Sequence, residues 1–217
     1  MIEAIVFDFD GVLADTPKYY FEYMKKYLHN IHTDITDEDI SHLVGMRFKQ
    51  KFDYLDEKYS LGVSLEKFVE DVSSVAREEM KKSITPNKNL ENFLNEIKAA
   101  EISMAIASSN SLANISFVLE KFKWNEYFEP IITVTDVQKH KPFPDAYIKA
   151  LKIMKKKPKN CIGIEDTTFG VDAIKSAGMK AIAIPSKYTE MHDFSHADIV
   201  IRDFSEISLA RIKGLIE

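Results

Sequence analysis

Short apolar runs and longer amphipathic stretches alternate along most of the chain. Runs that are apolar at nearly every position occupy 2–7 (IEAIVF), 102–107 (ISMAIA), 130–134 (PIITV), 161–164 (CIGI) and 180–184 (KAIAI), with ADIVI at 197–201 as an edge candidate. A strand covered on both faces loses the in-out alternation of a half-exposed one, so these runs predict buried strands. Between them, NLENFLNEIKAA (89–100), LANISFVLEKF (112–122), PDAYIKALKIM (144–154) and TFGVDAIKSAG (168–178) repeat apolar residues at helical spacing. Strand and helix in alternation predict an α/β fold with a doubly wound, Rossmann-like parallel sheet.

One region breaks the alternation. Before ISMAIA, the segments PKYYFEYMKKYLHN (17–30), DEDISHL (37–43), KQKFDYLDEKY (49–59) and SLEKFVEDVSSVAREEMKK (64–82) all follow the helical period, with no convincing strand among them. Pro17 suits the first helical position after Thr16, because its ring presets φ and its missing N–H is not needed there. SITPNKN (83–89) stops the last of these helices. The expectation is an all-helical cap at 16–87 inserted into a discontinuous core of 1–15 and 88–217, with hinges near 14–17 and 83–89. The lysine run at 155–157 reads as a solvated helix end.

Composition narrows the function classes. A length of 217 residues fits one main domain carrying an insertion, and 45% hydrophobic with 29% charged residues supports a packed core rather than disorder. A net charge of -5 offers no basic footprint for a nucleic-acid partner. Cys161 is the only cysteine, which excludes an intrachain disulfide or a thiolate metal cluster and fits a reducing compartment. No apolar stretch reaches membrane-spanning length, and Met1 leads into a strand-like run rather than a basic leader. The expectation is a soluble, cytoplasmic monomer with neither a membrane nor a nucleic-acid partner.

In open parallel sheets, ligands gather at the carboxyl ends of strands, so polar residues just beyond the apolar runs carry the chemistry. Asp8 and Asp10 end the first run and, two residues apart in an extended segment, project to the same side. Their repulsion would be relieved by a divalent cation, and hard oxygen ligands suit Mg²⁺; alternatively, Asp10-Gly11 is a turn and Asp8 a loop cap. Glu165 and Asp166 follow a second buried strand, where Asp166 is either a helix N-cap or part of one acidic site with the first pair. Ser108 and Ser109 lie between strand and helix, where hydroxyls and free backbone N–H groups bind phosphate, although Ser109 or Ser111 is equally suited to capping. Lys141 is held between stiffening prolines in HKPFPD and is either placed for a site or simply solvated.

Taken together, DFDGVLADT (8–16), SSN (108–110), KPFPD (141–145) and GIEDTTFGVDAIKSAGM (163–179) resemble the haloacid dehalogenase superfamily of aspartate-nucleophile phosphotransferases, in family order and across essentially the whole core. The helical insertion after the first motif is similar to the subclass with a mobile helical cap, which includes β-phosphoglucomutase and many small phosphatases. The resemblance implies Asp8 as nucleophile and Asp10 as general acid and base. It implies Mg²⁺ at the Asp8 carboxylate, the Asp10 carbonyl and Asp166, with Glu165 as ligand or outer partner. Ser108, the Ser109 amide and Lys141 would hold the transferring phosphoryl group. Tyr20 stands where the mutases carry a His, and Val44 precedes the cap-loop glycine where they carry Lys. These departures point to a phosphatase acting on a small phosphorylated metabolite, with a phosphosugar mutase as the alternative. Cap residues Tyr20 and Arg47, together with Asn110, are the candidates for substrate contact, with a solvated Arg47 as the competing reading. A signalling receiver domain would lack the cap, a non-catalytic metal-binding module would not need both Asp8 and Asp10, and no G-x-x-x-x-G-K loop is present for P-loop hydrolysis.

Overall fold

A computed structural model describes residues 1–216. In chain order the elements are β1 (Ala4–Phe7), α1 (Thr16–Asn30), α2 (Asp37–Leu43), α3 (Phe48–Tyr59), α4 (Leu65–Ser83), α5 (Leu90–Ala99), β2 (Ser103–Ala107), α6 (Leu112–Phe122), β3 (Ile131–Ile132), α7 (Asp145–Met154), β4 (Cys161–Glu165), α8 (Thr168–Ser176), β5 (Lys180–Ala183), β6 (Ile199–Val200) and α9 (Leu209–Lys213). The six strands are parallel throughout, in the order β3-β2-β1-β4-β5-β6. The chain steps outward from β1 in both directions, which opens a crevice at the carboxyl end of β1. Register decides what meets there. Phe7 pairs with Ile106 of β2 and Ile164 of β4, so the next residues along the three strands are Asp8, Ala107 and Glu165.

Both sheet faces are covered, which accounts for the unbroken apolar runs. Ala4 and Val6 of β1 join Ala105, Ala107, Tyr147, Ala150, Val171 and Ile174 in one buried cluster. The alternate residue Phe7 points the other way, meeting Phe93 at 6.5 Å and Phe128 at 5.7 Å between ring centroids. Alanines on the first face let the backbones of α7 and α8 approach closely, and bulky rings fill the second. Full burial of a side chain such as Phe7 is worth roughly 1.5–3 kcal/mol.

The chain divides into two compact units, one formed by residues 1–14 with the chain from Pro86 onward and the other by Asp15–Thr85. Within the helical unit, Met24 and Leu28 of α1 and Phe68, Val72, Ala76 and Met80 of α4 are buried. Asp39, also fully buried, accepts from Tyr54 Oη at 2.8 Å, Lys58 Nζ at 2.6 Å and Tyr59 Oη at 2.6 Å, so its carboxylate joins α2 to α3. One expected detail changes: α1 begins at Thr16 rather than Pro17. Asp15 is the cap, accepting from the Lys18 N–H at 3.4 Å. Asp caps somewhat better than Thr, and Pro17 sits comfortably one position further in.

In the sheet unit, Ala14 bridges Pro86 in antiparallel sense. The Asn87 backbone N–H donates to the Leu13 carbonyl at 3.1 Å, and its side-chain amide donates to the carbonyls of Gly11 and Val12. The returning chain thereby pins the loop that follows β1. No helix among the described residues is long and apolar enough to cross a membrane.

Candidate active site

The loop after β1 turns sharply while keeping its apolar residues inside. Phe9, Val12, Leu13 and Ala14 are fully buried, Leu13 N–H donates to Phe9 O at 3.0 Å, and Gly11 N–H donates to Ala14 O at 2.9 Å. Gly11 has φ 79°, and a Cβ there would sit 2.1 Å from Asp166 Oδ2. Glycine is required twice over, for the left-handed turn and to let the β4 end approach. Asp8, 5% exposed, is anchored by its N–H to the Ile164 carbonyl at 2.9 Å.

Lys141 reaches this crevice with a nearly buried side chain and donates to both Asp8 Oδ1 and Glu165 Oε1, the latter at 2.6 Å. Its ammonium lies 5.3 Å from the ring centroid of Tyr147, which is fully buried in the first turn of α7. Glu165 Oε2 accepts three donors: the backbone N–H of Asp166 at 2.8 Å, that of Thr167 at 2.8 Å and the Thr167 hydroxyl at 2.9 Å. A carboxylate has about four acceptor sites. With four donors already satisfied, Glu165 is a fixed strut more than an available ligand.

Asp166 is the opposite case. It is 2% exposed, and its Oδ2 is buried without a hydrogen-bond partner. It is also not the N-cap of α8: that position is Thr167, whose hydroxyl accepts from the Gly170 N–H at 3.1 Å. The helix starts one residue too late for Asp166 to cap it, and its carboxylate turns to the crevice instead. Ligand oxygens of Asp8, Glu165 and Asp166 lie within 4.8 Å of one another.

The electrostatics of this group are severe. Burial pushes the Asp8 carboxyl up to about 8 against the attraction of Lys141, and the charges of Glu165 and Asp10 add to the rise. Burial, then Glu165 and Asp8, raise Asp166 well above the carboxylate range. Burial works against the Lys141 ammonium too, yet Asp8 and Glu165 more than offset it and hold Lys141 well above its ordinary value. Ionising all three carboxylates around one ammonium would leave two negative charges without a counterpart, which is why burial and mutual repulsion favour the protonated forms of Asp8 and Asp166. A divalent cation has the missing charge, and the orphaned Asp166 oxygen is the kind of donor it needs.

On the β2 side, Ser108 is 3% exposed and its hydroxyl accepts from the Asn110 N–H at 3.0 Å. Ser109 follows, half-buried. Of the two serines suited to capping, Ser111 takes the role, accepting from Asn114 N–H at 3.4 Å, so Ser109 is left outside the helix. Asn110 donates through Nδ2 to both Asp10 oxygens, at 2.8 and 3.1 Å. It is therefore bound to the proposed acid/base group itself. Tyr20 and Arg47 belong to the helical unit. Tyr20 is buried on α1 with its ring edge-on to Phe48 at 5.6 Å, and Arg47 is exposed at the start of α3, its N–H donating to Gln50 Oε1 at 3.1 Å.

Three supporting residues escape a reading of motifs alone. Asn87, on the returning chain, braces the Gly11 loop from 76 positions away. Thr167 both caps α8 and donates to Glu165. Gly170 clears space, since a Cβ on it would fall 1.8 Å from the Glu165 carboxylate. Only Gly170 leaves a local trace: glycine inside a helix costs about 1 kcal/mol relative to alanine, so its presence there asks for a steric reason.

Comparison with known proteins agrees with this arrangement. The family described as haloacid dehalogenase-like hydrolase matches residues 5–184. The chain is 30% identical over 217 residues to a putative phosphatase, YhcW, of Bacillus subtilis, covering 97% of this chain and 96% of that one. It is 30% identical over 209 residues, 95% of this chain, to a bifunctional riboflavin kinase/FMN phosphatase of Arabidopsis thaliana, but spans only 55% of that protein's length. Among solved structures, CbbY from Rhodobacter sphaeroides in complex with phosphate superposes with a TM-score of 0.87 at 25% identity, over 98% of this chain and 100% of that one. Strand order, the acidic crevice beyond β1 and β4, and the family match over most of the chain all converge: this chain belongs to the haloacid dehalogenase-like hydrolases.

Proposed function

We propose that the protein is a Mg²⁺-dependent phosphatase that hydrolyses a small phosphomonoester, a sugar phosphate or similar metabolite, through an aspartyl phosphate on Asp8. The observation that carries this reading is the buried, unpartnered Asp166 oxygen beside Asp8, in a crevice whose only paired cation is Lys141 among the described residues. Asp8 and Asp166, with the Asp10 backbone carbonyl, would hold the ion, and Glu165 would act from outside by fixing Lys141 and the start of α8. When bound, the cation supplies charge neutralisation for a phosphoryl group entering an otherwise anionic crevice.

The remaining chemistry belongs to side chains. An Asp8 oxygen attacks phosphorus; the new P–O bond forms as the ester P–O bond breaks, and the electron pair leaves with the substrate oxygen. A proton on Asp10 passes to that oxygen. In the second half Asp10, now ionised, takes a proton from water as the water attacks phosphorus, which returns Asp8 as a carboxylate and releases phosphate. Ser108, the Ser109 N–H and Lys141 hold the phosphoryl oxygens, whose charge must be stabilised while it shifts. The helical unit 15–85 is the part of the chain left to discriminate between leaving groups, since the residues named above recognise only the phosphoryl group and the ion.

Phosphate release from a panel of phosphorylated metabolites, with Mg²⁺ and with chelator, tests the reading. Asp8→Asn should abolish turnover with the fold intact. Full activity in that variant, or in excess chelator, would remove the mechanism. The same panel, checked for isomerised sugar phosphate instead of free phosphate, separates a mutase from a phosphatase.

A further inference from the structure

We propose that Asn110 and Asn114 form a two-amide relay that fixes the orientation of the Asp10 carboxylate. The inference rests on the reading of Asp10 as the acid and base of the phosphatase above, and it adds two positioning residues to that site.

The Asn110 side chain is oriented without ambiguity. Its Nδ2 donates to Asp10 Oδ1 at 2.8 Å and Oδ2 at 3.1 Å, while its Oδ1 accepts from the Ser111 N–H at 2.8 Å and from Asn114 Nδ2 at 2.8 Å. Turning the amide over would set its oxygen against a carboxylate and its NH₂ group against two donors, so only one orientation satisfies the network. Asn114 is itself tied to the helix: its backbone N–H meets the capping hydroxyl of Ser111, and α6 is anchored by buried Ile115, Val118 and Leu119. The line Asp10, Asn110, Asn114 thus ends on a rigid element.

The residue type is specific. An amide presents a donor at one end and an acceptor at the other, which serine is too short to do across this gap and aspartate would do with the wrong charge. Asp10 must place one oxygen in line with the departing substrate oxygen and later with the attacking water. Displacement of a reacting group by about 1 Å can cost 10²-fold in rate. Asn110 supplies the restraint on Asp10, and Asn114 keeps the Asn110 amide from turning.

The test uses the full chain, Mg²⁺, and two aryl phosphates. Nitrophenyl phosphate has a leaving group that hardly needs a proton, whereas phenyl phosphate does need one. Asn110→Ala should slow the burst of phenol release by roughly 10- to 100-fold, leave the nitrophenol burst and both KM values within about twofold, and slow hydrolysis of the aspartyl phosphate. Asn114→Asp has the same size but cannot donate to Asn110, and should show the same pattern with a smaller loss of roughly 10-fold. In an Asp10→Asn background neither substitution should cost anything further. Equal losses on both leaving groups, or losses that add fully to that of Asp10→Asn, would overturn the relay. Should Asn110→Ala fail to fold, Asn114→Asp carries the decision alone. A wild-type chain that releases no phosphate, or keeps its activity as Asp8→Asn, would instead remove the phosphatase reading and the relay with it.

Discussion

The charge imbalance in the crevice makes a prediction about stability that needs no substrate. With the protein in chelator, Asp8 keeps its proton up to about 8 because it is buried, whereas an aspartate in the unfolded chain loses its proton near pH 4. Between those values the native state binds one proton more than the unfolded state. Its contribution is therefore complete at low pH and declines as pH rises toward 8, by about 1.4 kcal/mol per pH unit. From pH 5 to pH 8 the ceiling is about 4 kcal/mol. In a chain of 217 residues, about 1 kcal/mol shifts the melting temperature by roughly 2–4 °C, so the expected fall is on the order of 10 °C. Melting of the sheet unit, followed by near-ultraviolet circular dichroism in chelator, should show this slope in the wild type. Asp8→Asn cannot titrate there, and its curve should be flatter by about one proton. Added Mg²⁺ should stabilise the wild type more at pH 8 than at pH 5, because the ion competes with the proton for the same carboxylates. Identical pH slopes for wild type and Asp8→Asn would refute the account of Asp8 as a buried acid held neutral by its surroundings.

Asp10→Asn should slow turnover by roughly 10²- to 10⁴-fold and let the aspartyl phosphate accumulate, which rapid quench with labelled substrate would detect. Gly170→Ala forces a methyl group to 1.8 Å from the Glu165 carboxylate, and urea denaturation should show a loss of about 1–3 kcal/mol despite alanine's better helix propensity. Arg47→Ala should raise KM for the preferred metabolite by the equivalent of roughly 1.5–3 kcal/mol while leaving a small aryl phosphate unaffected; equal losses on both would place the damage in the core.

Much of the fold was legible because the information is local. A strand buried on both faces must be apolar at successive positions, so IEAIVF and CIGI announce both their secondary structure and their place in the middle of a sheet. LANISFVLEKF was bounded correctly at Leu112–Phe122 because a serine cap lies immediately before it. Where neighbouring residues compete for one local role, the sequence alone did not separate them. Asp166 and Thr167 both cap helices well, and Asp15 and Thr16 likewise; the choice depended on where the backbone finally turned.

The polar residues beyond the strands could be found by position and residue type, because the carboxyl ends of parallel strands are where backbone and helix termini leave room for ligands. What each does to its neighbours could not. Strand order and register brought Asp8 beside Glu165, two residues 157 positions apart along the chain, and this proximity created the need for Lys141 between them. Asn110 reads in sequence as a free polar residue suited to a substrate, yet its amide is engaged with Asp10 across 100 positions. Glu165 reads as either a ligand or an outer partner, and its oxygens accept from Lys141 and from the backbone just before α8. Sequence by itself determined the elements, the parallel sheet and the polar residues that end its strands, since these follow from short-range periodicity and residue type. The tertiary structure alone decided which carboxylate is satisfied and which is left open, because hydrogen-bond capacity is consumed by whatever neighbour the fold delivers.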